Sequence, residues 1–364
     1  MTRRGNLAGM CNQSRQTVFL TLDSNMKVSI VATVKNEGEA LRPLLDSILD
    51  QTRPPDEVVI CDGGSVDATP VILDEYTRLL PLRIVVVPGS NISQGRNRAI
   101  AAATGDLIAA TDAGVVLSPT WLEELLAPFD DETLQVVGGW FEADPFTDFE
   151  VVMGATVLPA RREIDPQQFL PSSRSVAFRK SAWAAVGGYP EWLEHSEDLV
   201  FDQALRERFG PFAFAPGAVA YFRPRSSLRA FYRQYRAYAR GDGKANLWPR
   251  RHAVRYLTYL VGLPLVLRAI WRERFLGWLL LLLGVGAYSR RPAERLWANT
   301  WGWRPPARAR AFALIPIIRL VGDVAKMIGY PQGVWWRLRR GAGGGDAGEP
   351  GSRSAEESGV AAGP

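Results

Sequence analysis

Apolar residues in this chain follow two alternating rhythms. Residues 28–34 form a nearly continuous apolar run, as a strand buried on both faces requires, and Leu41, Leu44, Leu45, Ile48 and Leu49 then recur at helical spacing. The change of period repeats along the chain. Residues 57–61 predict a second strand, 67–80 a helix, 82–87 a third strand, 93–103 a helix and 107–111 a fourth strand. Ser118 and Pro119 then read as an N-cap and a proline at the first helical position, opening a helix over 120–129. The alternation predicts an α/β domain with a mostly parallel sheet and ligands at the carboxyl ends of its strands. Thr33, Asp62, Ser90 and Asp112 fall at or just beyond such ends.

The pattern changes after residue 222. Over 226–240, Arg229, Arg233, Arg236 and Arg240 recur on one side of a predicted helix and Phe231, Tyr235 and Tyr238 on the other, which makes an amphipathic basic helix suited to an anionic membrane surface. Two apolar segments follow, 253–270 and 275–289, separated by Trp271-Arg272-Glu273-Arg274; they predict a helical hairpin that spans or re-enters a bilayer. A third apolar stretch, 311–328, is interrupted by Arg319, Asp323 and Lys326 and is expected at the interface or packed on the hairpin. The expected organisation is a loose tail at 1–25, an α/β domain at 26–222, a basic juxtamembrane segment at 223–252, membrane-associated helices at 253–340 and a disordered tail at 341–364. Met26, just before the first strand, is a candidate start.

Composition narrows the classes. Apolar content of 47% over 364 residues excludes a wholly disordered chain, and two cysteines, Cys11 and Cys61, exclude a disulfide scaffold. With only His195 and His252, a zinc site is not expected. The net charge of +5 is concentrated in residues 223–255, which hold nine Arg and one Lys against the single acid Asp242. That excess is assigned to a membrane rather than to nucleic acid, and it puts the preceding domain on the cytoplasmic side.

The candidate chemistry lies in the acids. Asp112 follows the fourth strand, and Glu197-Asp198 follows about 85 residues later at a predicted helix start. One carboxylate at a strand end can hold a metal ion or a ribose, and a second can take a proton from a hydroxyl nucleophile. Together they point to group transfer from a nucleotide-activated donor.

Five ordered motifs carry a family resemblance: 28–37 with Thr33, Lys35 and Glu37; 61–69 with Asp62-Gly63-Gly64; 95–100 with Arg96; Asp112; and Glu197-Asp198. From about residue 28 to 221 the chain resembles family 2 glycosyltransferases of the GT-A fold. The resemblance implies an inverting transferase using a nucleotide-diphosphate sugar and a divalent metal, Mg²⁺ or Mn²⁺. It assigns Thr33, Lys35, Glu37 and Asp62 to the nucleoside, Arg96 to the diphosphate, Asp112 to donor and metal, and Asp198, beside Glu197, to the catalytic base. The expected acceptor is a glycan or lipid-linked molecule at the cytoplasmic membrane. Two departures matter. Where the family has Asp-x-Asp this chain has Asp112-Ala113-Gly114, which removes one metal ligand, and the Gln-x-x-Arg-Trp of processive synthases is replaced by Gln234-Tyr235-Arg236-Ala237-Tyr238. The alternative reading is a non-catalytic nucleotide-sugar-binding or scaffolding member of the same fold in envelope polysaccharide assembly.

Overall fold

The computed structural model describes residues 26–341. The tails expected at 1–25 and 341–364 lie outside them, apart from Gly341, which ends a helix. The first half winds as β1 (Val28–Val34), α1 (Arg42–Leu49), β2 (Glu57–Asp62), α2 (Thr69–Tyr76), β3 (Leu82–Val86), α3 (Ile92–Ala102) and β4 (Leu107–Ala110). These four strands pair in parallel in the order β3-β2-β1-β4, so their carboxyl ends share one edge. Packing explains the continuous apolar runs: Ile30, Val58, Ile60, Leu107 and Ala109 face helices on one side, and Val31, Val59 and Ile108 face helices on the other.

The sheet continues with β5 (Val115–Leu117), α4 (Trp121–Leu126), β6 (Val136–Ala143), α5 (Asp148–Val157), β7 (Val176–Arg179), α6 (Lys180–Ala185), α7 (Glu197–Phe209) and β8 (Ala213–Phe222). The full order is β3-β2-β1-β4-β7-β6-β8-β5, and β7 runs antiparallel to both neighbours. Gly139 is required at the crowded centre of this extension, because a Cβ there would lie 2.0 Å from Ser175 Oγ and 2.8 Å from the Ala218 carbonyl. One local expectation fails: α4 begins at Trp121 with Thr120 at its N-cap, and Ser118 serves through its carbonyl, which accepts from Trp121 N at 2.9 Å and from Gln51 Nε2 at 2.9 Å.

Helices complete the described chain: α8 (Leu228–Ala245), α9 (Pro249–Leu257), α10 (Leu263–Asn299) and α11 (Pro305–Gly341). The stretch expected at an interface or on the hairpin packs chiefly along α8 instead, as part of α11. Glycines make this possible: a Cβ at Gly329 or Gly333 would meet the Arg236 or Arg240 carbonyl at 2.2 or 2.1 Å, so the two backbones touch. Phe231, Tyr235, Ile315 and Ile318 fill the seam together with Val152 and Met153 of α5. Within α10 the backbone leaves helical geometry at Glu273 and Arg274, and a Cβ on Gly277 would meet Ile270 N at 2.1 Å; the chain therefore reverses into a hairpin. Among the described residues, Pro249–Asn299 holds the one stretch long and apolar enough to cross a membrane, with none of that window buried.

Candidate active site

Parallel strands deliver their ends to one rim, and there a cavity of about 620 Å³ opens, lined by Thr33, Lys35, Glu37, Gly63, Ser90 and Asp112 among others. The α3 N-terminus abuts it, its capping box closed by Asn91 and Gln94. Gly95 lets that helix approach β1, since a Cβ would sit 2.8 Å from Thr33 Cγ2. Thr33, Lys35, Glu37 and Asp112 are thus brought together.

Asp62 and Arg96 are positioned differently from the expectation. Asp62 is buried and does not line the cavity; its Oδ1 accepts from Gly64 N, Ser65 N and Ser65 Oγ at 3.0, 2.9 and 2.7 Å. It shapes the loop that presents Gly63. Arg96 is 2% exposed, and its two terminal nitrogens pair with Asp112 Oδ1 and Glu197 Oε1, each at 2.6 Å. With both terminal nitrogens engaged by carboxylates, it clamps the β4 end to the start of α7 rather than presenting a free fork to a diphosphate.

A second cation reaches Asp112 that sequence reasoning missed. The β4–β7 register pairs Ala110 with Val176, so two residues further on Asp112 faces Arg174 across the strands. Arg174 Nε lies 3.6 Å from Asp112 Oδ2, with its guanidinium over the Phe222 ring. Burial raises the Asp112 carboxyl, yet Arg96 and Arg174 outweigh burial and hold it below its usual range.

The α7 N-terminus carries the other acids. Ser196 adopts the left-handed conformation, φ 62°, just before Glu197 and Asp198, a strained backbone that the surrounding packing must hold. Helix α8 supplies that hold: Ser196 Oγ donates to Asp242 Oδ1 at 3.0 Å, and a Cβ on Gly241 would meet the His195 carbonyl at 2.4 Å. Asp198 Oδ1 accepts from Leu199 N at 2.9 Å. Burial pushes the Asp198 carboxyl up, with Arg96 pulling it back in part. Burial likewise pushes Glu197 up to about 7 against the opposing pull of Arg96. Asp202, one turn on, is buried with Oδ2 unpaired and is also raised by burial and by Asp198. It too was missed, because a helix-interior Asp gives no sequence signal beyond its spacing.

Glu197 and Asp198 line a second cavity of about 570 Å³, whose walls also include Arg233, Arg251 and Lys326. The two cavities share a wall that includes Asp112, Arg174, Gln234, Tyr235 and Tyr238. The arginine stripe expected at a membrane surface is divided by the fold. Arg240 pairs with Glu194 at 2.8 Å, Arg236 donates to Gln332 Oε1 at 3.3 Å, Arg233 lines the second cavity, and Arg229 is exposed. Helix α8 is therefore built into the site.

The metal expected at Asp112 finds a poor donor set. Both Asp112 oxygens face guanidinium groups, a Cβ at Gly114 would meet nothing within 4 Å, and no group of three or more metal-ligating side chains occurs among the described residues. These residues do not fit a resident ion held by the protein alone.

Residues 29–180 match the family model Glycosyl transferase family 2. The chain is 27% identical over 274 residues to the pre-mycofactocin glycosyltransferase of Mycobacterium tuberculosis, covering 72% of this chain and 54% of that one. It is 32% identical over 122 residues to the hyaluronan synthase of Streptococcus pyogenes, covering 32% and 29%. The chain thus spans about half the length of the first relative and under a third of the second. Among solved structures, the mannosyltransferase PcManGT from Pyrobaculum calidifontis, in complex with GDP-Man and Mn²⁺, superposes with TM-score 0.53 at 18% identity over 86% of this chain and 88% of that one, a likeness of fold.

Proposed function

The chain belongs to glycosyltransferase family 2, and on that premise we propose that it is an inverting transferase moving a sugar from a nucleotide-diphosphate donor to an acceptor hydroxyl at a membrane face. One observation carries the reading. The cavity at the strand ends and the cavity holding Asp198 meet along a wall that includes Asp112, Arg174 and Tyr238, so a donor in the first and an acceptor in the second would have their reacting atoms at one seam. In the donor cavity Thr33, Lys35 and Glu37 would hold the nucleoside, and the Gly63 loop shaped by Asp62 would let it approach backbone.

The chemistry is a single displacement. Asp198, as carboxylate, takes the hydroxyl proton; the acceptor oxygen bonds the anomeric carbon from the face opposite the diphosphate; the bond to the diphosphate oxygen breaks, and the nucleoside diphosphate leaves with the electron pair. Configuration inverts, with no covalent bond to the protein. Arg174, between the two cavities, faces the charge that develops on the leaving group. Asp112 is already held by two guanidinium groups, so any divalent ion would have to be brought by the donor, whose diphosphate would supply its oxygen ligands. The hairpin, exposed and apolar, supports membrane association, and the arginine excess before it supports a cytoplasmic catalytic domain.

The test begins with a thermal-shift screen of nucleotide sugars, where a ligand at 100 times its dissociation constant should stabilise by about 2.7 kcal/mol. The selected donor is then supplied with membrane extract, and the anomeric configuration of the product is read by NMR. Inversion is expected. Retention of configuration, or no stabilisation by any nucleotide sugar, would overturn the reading.

A further inference from the structure

The cavity that holds Asp198 has a cationic wall with no assigned role. Arg233 comes from α8, Arg251 from α9 and Lys326 from α11, and all three line that cavity. Among the described residues none of the three has a carboxylate at ion-pair distance. Two of them lie beside aromatic rings: the Arg251 guanidinium is 5.4 Å from the Trp248 ring centre and Lys326 Nζ 4.8 Å from that of Tyr235. Arg251 and Lys326 also line a smaller cavity of about 210 Å³ with Tyr288 and Arg319, whose Nε is buried without a hydrogen-bond partner. That smaller cavity lies at the foot of the apolar hairpin, to which Tyr288 belongs.

Arg233 and Arg251 are exposed and Lys326 is half-buried, and Asp242 in the same cavity and Asp323 in the smaller one offset part of their charge; an anion seated among the three would offset the rest. Burial and the nearby Arg255 lower Lys326 to about 8 against the opposing pull of Asp323 and Asp242, and the same two causes lower Arg251 against that of Asp242. The cost of both charges would be relieved by a shared oxyanion. Guanidinium forks with an ammonium match a phosphate, which offers several acceptor oxygens, and the neighbouring hairpin would hold an apolar tail.

We infer that Arg233, Arg251 and Lys326 seat a phosphate group of the acceptor, a phosphate-linked glycolipid whose chain runs toward the hairpin and whose sugar hydroxyl reaches Asp198. This rests on the transferase reading above and specifies its acceptor. The seated phosphate takes no part in bond making; it fixes the hydroxyl in register with the donor.

The test uses the full chain in the neutral detergent dodecyl maltoside, titrated with dodecyl phosphate and, separately, with inorganic phosphate, and followed by tryptophan fluorescence. Dodecyl phosphate should bind the wild type at least about tenfold more tightly than inorganic phosphate, and Arg251→Gln combined with Lys326→Met should weaken it by about tenfold or more. Arg233→Gln, at an exposed position that the fold tolerates, should weaken it several-fold, and Arg78→Gln, at the exposed position just past α2, should not. Equal affinity for the two probes would overturn the lipid-borne source, and unchanged binding in both cavity variants would overturn the site. Displacement of dodecyl phosphate by the donor nucleotide would assign the wall to the donor and overturn the acceptor role. Nucleotide-sugar binding is measured in the same samples: its loss in the wild type condemns the transferase reading, whereas its persistence beside failed phosphate binding condemns this inference alone.

Discussion

The sheet and the hairpin bury apolar surface by opposite means. In β1, β2 and β4, residues such as Ile30, Val58 and Leu107 are fully covered by helices of the same chain. In the hairpin, Trp271 is 82% exposed, Phe275 81% and Leu282 66%. A soluble fold rarely leaves so much apolar surface contiguous. The first region finds its apolar phase within the protein, whereas the second leaves its apolar side chains uncovered, and α8 and α11 are the joint between them.

The largest expected effect distinguishes the two regions by one kind of substitution. Trp121→Ala in the sheet core should cost about 3–5 kcal/mol by thermal or denaturant unfolding, whereas Phe275→Ala should leave the melting temperature in detergent unchanged and reduce partition into lipid vesicles. Equal destabilisation by both would erase the contrast. Next in size is the joint itself. Gly329→Val forces a Cβ onto the Arg236 carbonyl and should lower stability by about 1–3 kcal/mol, since neither backbone can yield cheaply. Gly241→Val should instead cost turnover more than stability, by displacing His195 and Ser196 ahead of Asp198. A wild-type turnover in that variant would detach α8 from the site.

A smaller effect concerns pH. With burial raising both Glu197 and Asp198, the carboxylate forms are reached only at higher pH than for exposed acids, so kcat/KM should fall as pH drops through an acid limb above the ordinary range of about 4. A profile flat from pH 5 to 8 would contradict the burial argument. The weakest expected signal is metal binding to the free protein. Asp112, held by two arginines beside Gly114, should bind Mg²⁺ or Mn²⁺ weakly by calorimetry and more tightly once a nucleoside diphosphate supplies oxygens. Tight binding without nucleotide would refute the poor donor set.

The legible parts of the chain were those governed by local periodicity. The β1-to-β4 alternation stands out because β1, β2 and β4 are covered on both faces and the helices on one, which writes distinct periods into the residues. The sheet extension was not legible: β6 carries Gly138-Gly139 and β8 carries Pro216-Gly217, residues that a single sequence reads as turns. Within the site, Asp112 and Asp198 could be named from strand and helix ends, but Arg174 depends on an antiparallel register and the Arg96 clamp on contacts 16 and 101 residues apart. The division of the arginine stripe was illegible for a similar reason. Helical spacing shows that Arg229, Arg233, Arg236 and Arg240 share a face, yet it cannot show that α11 and the segment before α7 pack against that face.

The central claim is that donor and acceptor meet at the seam between the two cavities, with Asp198 as base. Asp198→Asn tests it most directly, with nucleotide-sugar affinity and turnover measured on the same preparation. The account predicts donor affinity near that of the wild type and turnover lower by roughly 100-fold or more. Wild-type turnover in that variant would contradict it.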